Sequence, residues 1–209
     1  DGWKRERSKG VYTAIDGREF ISTTTALKEV GLSPQYPDRA FFAAWRGTKV
    51  HDAVEKLLTA KLDDAGVQAL FASLDDVAGR GYLAAFLKFL RECCFELCIE
   101  NGIVLAEKAI CHPFYGYAGQ LDIAGTVNSA RSIVDVKTGV PMPWHGPQTA
   151  SYAMGLWDQS GEEAKRYGLY LKSDGTYKLK SYEDASDFSV FTSAVVVAQW
   201  KRLHGVVAA

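Results

Sequence analysis

A mixed α/β fold with a helical first half is expected here from three features of the chain. Two long stretches within the first hundred residues carry apolar side chains at helical spacing. Three apolar segments then follow one another between residues 103 and 138, separated by turn residues. The rest alternates helix, hairpin and helix. With 209 residues, 47% of them hydrophobic and 23% charged, the chain has enough apolar material for a sizeable core and is not a disordered polymer. One domain is expected, with residues 1–102 forming an N-terminal hairpin and helical part and 103–209 the core sheet and its helices.

Taken in order, Val11 to Ile15 and Glu19 to Ser22 flank Asp16-Gly17 and predict a hairpin. Ser22-Thr23-Thr24-Thr25 caps a short helix that ends near Gly31. Pro34 and Pro37 mark a loop. Asp38 to Leu62 predicts a helix with Phe41, Trp45, Val50, Val54, Leu57 and Leu58 on one side. Residues 76–101 predict a second long helix, stopped at Asn101-Gly102. Ile103 to Cys111, Ala118 to Val127 and Ser132 to Thr138 read as successive strands. Gly146-Pro147 opens a helix to about Asp158, with proline in its first turn. Arg166 to Leu171 and Tyr177 to Tyr182 form a hairpin, and Asp187 to about Leu203 a closing helix.

Charge is nearly balanced, 24 basic residues against 25 acidic, so a polyanion would have to be met by local patches. Residues 1–10 and 165–182 are basic, while 52–76 is acidic. No apolar run approaches the ~18 residues of a membrane-spanning helix. The chain opens on Asp1, which points to a longer parent. Cys93, Cys94 and Cys98 crowd into a stretch predicted helical, poor geometry for disulfides, and a reduced, cytoplasmic setting is expected.

The chemistry gathers in the middle. Asp135 and Lys137 are two apart on a strand and share a face, while Val134 and Val136 face the other way. Asp122, in Gly119-Gln120-Leu121-Asp122, lies on the preceding strand, 13 residues earlier. Carboxylates brought that close need a cation between them, or one must protonate. Oxygen ligands of this kind suit Mg²⁺ or Mn²⁺. A lysine beside such a cation is what phosphodiester hydrolysis asks for. Gln148 and Tyr152 are i,i+4 on the following helix. His51, in Arg46-Gly47-Thr48-Lys49-Val50-His51, sits at the edge of the apolar stripe of its helix.

The order His51, Asp122, Asp135-Val136-Lys137, Gln148-x-x-x-Tyr152 resembles the RecB-like, phage-type exonuclease branch of the PD-(D/E)xK nucleases. Ile21-Ser22-Thr23-Thr24-Thr25-Ala26-Leu27 is similar to a segment of its phage-borne members. The resemblance spans about residues 11 to 153. It implies a restriction-endonuclease-like core, a central mixed sheet flanked by helices, and Mg²⁺- or Mn²⁺-dependent cleavage of DNA. It implies that His51, Asp122, Asp135 and the carbonyl of Val136 hold the metal. Lys137 is then the catalytic lysine, supported by Gln148 and Tyr152, with Glu107 behind the ligands. Arg46, Lys49, Lys172, Lys178 and Lys180 are expected to contact DNA, single- or double-stranded. Some relatives carry an iron–sulfur cluster held partly by cysteines after the nuclease core. This chain has none after Cys111, so no cluster is expected. No helicase phosphate loop is present, so a helicase or recombinase partner would be a separate chain.

No base-reading element is evident, which favours an exonuclease over a sequence-specific endonuclease, and the resemblance implies a role in recombination, repair or phage DNA processing in a bacterial or phage-infected cell. The alternative is a non-catalytic DNA-binding module that kept the fold.

Overall fold

The computed structural model describes residues 3–6, 9–34, 41–60, 62–74, 77–157 and 164–206. The chain begins with β1 (Trp3–Glu6), β2 (Val11–Ala14) and β3 (Glu19–Ser22), followed by α1 (Thr23–Glu29), α2 (Phe41–Thr59), α3 (Asp64–Ala72) and α4 (Val77–Glu92). Short strands β4 (Glu96–Leu97), β5 (Ile99–Glu100) and β6 (Ile103–Val104) lead into β7 (Ala106–His112), β8 (Tyr117–Val127) and β9 (Ala130–Lys137). Helix α5 (His145–Trp157), strands β10 (Lys165–Leu171) and β11 (Tyr177–Ser181), and α6 (Ser186–Leu203) complete it. No helix among the described residues is long and apolar enough to cross a membrane.

The predicted hairpin is β2–β3, turned at Gly17 with φ of 83°. The Ser22 hydroxyl caps α1 by accepting the Thr25 amide at 3.2 Å. Three expectations are corrected. The single strand predicted over Ile103 to Cys111 is split, β6 pairing with β5 and β7 with β8, while the basic N-terminal segment adds a strand, β1, paired with β2. A separate helix, α3, lies between the two long ones and is capped by Asp63, whose side chain accepts the Gly66 amide at 2.8 Å. The helix predicted over 76–101 ends at Glu92. Cys94 takes a left-handed φ of 43°, and the Phe95 amide closes on the Leu90 carbonyl at 3.0 Å, which terminates the helix. Phe95 then packs on Phe89, ring centroids 5.5 Å apart. Cys93, Cys94 and Cys98 therefore do not share a helix.

Nine of the described strands form one mixed sheet, ordered β1-β2-β3-β8-β9-β10-β11, with β7 and β4 also paired to β8. Helices α1, α5 and α6 cover one face around Leu27, Tyr117, Ile133, Tyr152, Phe191 and Val195. Helices α2 and α4 cover the other around Val50, Val54, Phe86, Phe89, Val134, Val136 and Leu169. Strand β9 shows the alternation cleanly, Ile133 packing one way and its neighbours Val134 and Val136 the other. Phe86 and Phe89 are fully buried, each worth about 2–3 kcal/mol of transfer free energy.

Strand β8 positions the site. One of its edges carries β7 and then β4. The other is shared: β3 pairs in parallel at Tyr117 and Ala118, and β9 pairs antiparallel from Ile123 to Val127. Between these partners, residues 119–122 form no ladder on that edge. The resulting gap opens the middle of the sheet.

Candidate active site

The tight β8–β9 connection sets the register. Asn128 and Ser129 both take positive φ, 49° and 65°, the primed turn that matches strand twist. Counting from Val127↔Ala130, the ladder runs to Ile123↔Val134, and one step further Asp122 comes opposite Asp135. There the strands part. The Asp122 carboxylate fills the opening and accepts the Val136 amide at 2.7 Å. The Val136 N–H thus faces the site, and its side chain packs on the α2–α4 face.

His51 reaches the gap from α2. Its Nδ1 is 3.0 Å from a Glu107 carboxylate oxygen and 3.5 Å from Asp122 Oδ1. These three side chains offer ligand atoms within 4.8 Å of one another and form a candidate metal-binding group. Glu107, expected behind the ligands, belongs to the group itself. Its backbone is unusual for a strand: φ is 47°, a left-handed conformation that costs a non-glycine residue about 1–2 kcal/mol. Gln120 holds the second Glu107 oxygen at 2.7 Å. Burial works against the charged imidazole, but Asp122 and Glu107 outweigh it and raise the His51 pKa to about 9. In the metal-free protein an imidazolium therefore supplies the positive charge between the carboxylates.

Asp135 lies beside this group and outside it. Its side chain is wholly buried and paired with the Lys137 ammonium at 2.5 Å. Burial pushes the Asp135 carboxyl upward against the pull of Lys137. Burial also opposes the Lys137 charge, but Asp135 and Asp122 outweigh it and keep the ammonium protonated. Asp135 Oδ1 is buried without a hydrogen-bond partner, and so is Gln148 Oε1. Such orphaned acceptors call for a cation or a donor. With imidazole and carboxylate and no thiolate in the group, the donor set fits a divalent cation.

On α5 the Gln148 amide donates to the Tyr152 hydroxyl at 2.9 Å. Burial, with Asp135 and Asp122, holds the Tyr152 phenol well above its ordinary pKa. Its own proton is thus retained and available to a ligand. A cleft of about 330 Å³ opens over the gap. Tyr12, Ser22, Thr23 and Thr24 form one wall, Gly47, Thr48, His51 and Asp52 of α2 another, and Gly119, Gln120 and Asp122 the floor, with Glu107 and Tyr152 alongside. At Gly47 a side chain would meet only Thr138 Oγ1, at 3.9 Å, so the space above this glycine is open.

The basic residues divide. Lys178 pairs across β11–β10 with Tyr170, which pairs with Lys137; Lys180 pairs with Gly168, which pairs with Asp135. Cross-strand partners share a face, so both lysines lie in the rows of the acidic site, two strands or about 10 Å away. Lys172 lies beyond β10 in the exposed turn. Lys49 is exposed on α2, its ammonium 5.7 Å from the Trp45 ring. The Arg46 side chain lies outside those described.

A further buried group borders Asp135 and Lys137 with no sequence signal to announce it. The Met142 amide points at His145 Nδ1 (3.3 Å), and the Tyr170 hydroxyl is 2.6 Å from the same nitrogen. The Tyr182 hydroxyl is 2.5 Å from that of Tyr170. Burial and the neighbouring Lys137 charge lower the His145 pKa to about 4, so the ring is neutral with Nδ1 as acceptor.

The sequence matches no family model and no curated protein. The fold is nonetheless a known one. A crystal structure of an Eubacterium rectale protein described as "Putative exonuclease" superposes with a TM-score of 0.51, covering 90% of this chain and 83% of that one at 9% identity. An alkaline exonuclease, LHK-Exo from Laribacter hongkongensis, aligns over 81% of this chain and 94% of its own at 14% identity. Its TM-score of 0.40 is too low to bear on the fold. At these identities the likeness is one of architecture: a central mixed sheet flanked by helices.

Proposed function

We propose that this chain is a Mg²⁺- or Mn²⁺-dependent deoxyribonuclease of the PD-(D/E)xK type, RecB-like, and that it acts as an exonuclease. One observation carries the reading. At the single gap described in the edge of β8, a histidine from one helical layer meets two carboxylates, with a buried aspartate paired to a lysine and a Gln–Tyr pair from the other layer beside them. The exonuclease description of the Eubacterium rectale fold neighbour agrees with it.

In this reading His51, Glu107, Asp122 and Asp135 hold the metal. Such an ion, when bound, would acidify a water and offset phosphate charge. Lys137 keeps its proton and faces the developing negative charge, where an ammonium fixed in advance stabilises the transition state more than the ground state. Asp135 fixes its position. Tyr152, oriented by Gln148, donates to a phosphate oxygen. Lys178 and Lys180 bind neighbouring phosphates and read no sequence.

The test is cleavage of 5′- and 3′-labelled single- and double-stranded DNA, linear and circular, with Mg²⁺, Mn²⁺ or EDTA. Progressive shortening of linear DNA, with circles spared and EDTA abolishing it, is expected. If wild-type protein cuts no DNA with either metal, the reading gives way to a DNA-binding module.

A further inference from the structure

The Asp135–Lys137 pair is enclosed on the β8 side by Asp122. On the β10 side the closure comes from Tyr170. Register places Tyr170 directly beside Lys137 and Gly168 directly beside Asp135, all on one face. The Tyr170 ring does not stand over its own position. It lies back along its strand across Gly168: a methyl group added there would meet Tyr170 ring carbons and the hydroxyl at 2.8–2.9 Å. The absent side chain of Gly168 is therefore the space the ring occupies, next to the acidic row. Both ends of this arrangement are fixed. The hydroxyl is held by His145 from the start of α5 and by Tyr182 from beyond β11. Tyr170 is 2% exposed, and Gly168 lies in the buried part of its strand.

Resting on the nuclease reading, we propose that Tyr170 is a positioning residue that keeps the Lys137 ammonium on Asp135, with His145 and Tyr182 as its anchors and Gly168 as its seat. The physical reason is side-chain freedom. A lysine has four rotatable bonds, and on a flat sheet face its stem can swing toward either neighbouring strand. A ring locked over Gly168 removes the β10 direction and shields the pair from water on that side, which strengthens the attraction between ammonium and carboxylate. His145 and Tyr182 do not touch the reacting atoms in this scheme; they act through Tyr170.

Two variants reach the same point from opposite sides. Tyr170→Phe keeps the ring and removes both anchoring bonds. Gly168→Ala removes no functional group and displaces the ring. For each, single-turnover cleavage, Mn²⁺ affinity by calorimetry, thermal melting and the exchange rate of the Lys137 ammonium protons by ¹⁵N NMR are measured. We expect turnover per folded molecule to fall roughly tenfold to a hundredfold, with KM and Mn²⁺ affinity unchanged and ammonium exchange faster. If both variants melt early yet turn over and exchange like wild type, the network is merely structural and the proposal is overturned. If Gly168→Ala does not fold, Tyr170→Phe decides alone. Should wild type prove inactive on DNA, the nuclease reading fails separately, and the exchange rates still judge the placement of Lys137: unchanged rates overturn it.

Discussion

The two sides of the gap in β8 are built on different plans. On the β9 side, Asp135 is wholly buried and paired with Lys137, whose side chain keeps 20% of its surface exposed, and Tyr170 stands alongside. On the α2 side, His51, Glu107 and Asp122 line an open cleft, and their internal cation is a proton on an imidazole. The first side is preorganised, with one Asp135 oxygen held by Lys137 and the other left without a partner. The second can trade its proton for a dication without rearranging the sheet. The contrast separates a group placed to act on a transition state from one placed to receive a ligand.

The largest effect that tests this division is expected at Lys137. Lys137→Met should lower single-turnover cleavage by about 100-fold or more while leaving Mn²⁺ affinity near wild type. It strands a buried carboxylate, so stability should fall by about 3–5 kcal/mol. The double variant Asp135→Asn/Lys137→Met should regain much of that stability without regaining turnover. Recovery of cleavage in the double variant would show that the pair is structural.

On the open side, Asp122→Asn and Glu107→Gln should each abolish cleavage and weaken Mn²⁺ binding at least tenfold, since a hard dication depends on formal charge in its cage. Calorimetry returning wild-type affinity for both would remove the metal group from this place.

The pH dependence differs between the sides as well. His51 has its folded pKa raised from 6.5 to about 9, so its stabilising contribution is full below pH 6.5 and is lost as pH rises through 9. Metal-free protein should lose on the order of 2 kcal/mol over that window, read as a falling melting temperature, and His51→Ala should flatten the curve. Because metal and proton compete for the same imidazole, Mn²⁺ affinity should climb over the same range. A Mn²⁺ affinity independent of pH from 6.5 to 9 would place the ion elsewhere.

The smallest effect concerns the lysine rows. Lys178→Ala and Lys180→Ala should each lower the log–log salt slope of duplex binding by about one unit, and Lys172→Ala, in the turn beyond β10, by less. Equal slopes for all three would mean that β11 does not face the substrate.

How much of this was readable from the chain follows the same division. Strand periodicity and the short turn at Asn128-Ser129 were enough to bring Asp122, Asp135 and Lys137 together, because antiparallel register is a local property. Helix spacing paired Gln148 with Tyr152 for the same reason. Glu107 was visible as a strand residue, but its left-handed backbone, and hence its place within the metal group, depends on how β7 meets β8. The helix expected to run to residue 101 failed because Cys94 leaves the helical region, a conformation no apolar pattern encodes. Asp63 was the overlooked cap of α3. His145, Tyr170 and Tyr182 carried no signal at all. They meet only because β10 crosses back parallel to β9, and a parallel pairing joins segments that share no local pattern.

The joint between β3 and β8 carries a consequence for how the molecule assembles. It consists of two residue pairs, Ile21↔Tyr117 and Ser22↔Ala118, reinforced by the Thr23 hydroxyl on the Ala118 carbonyl across 95 positions of chain. The β7–β8–β9 meander, by contrast, is made of neighbours in sequence and pays little loop-closure entropy. The meander can therefore form first and the N-terminal hairpin dock last, so the mouth of the cleft is finished only at the end of folding. In hydrogen exchange the amides of β3 should open at lower free energy than those of β8 and β9.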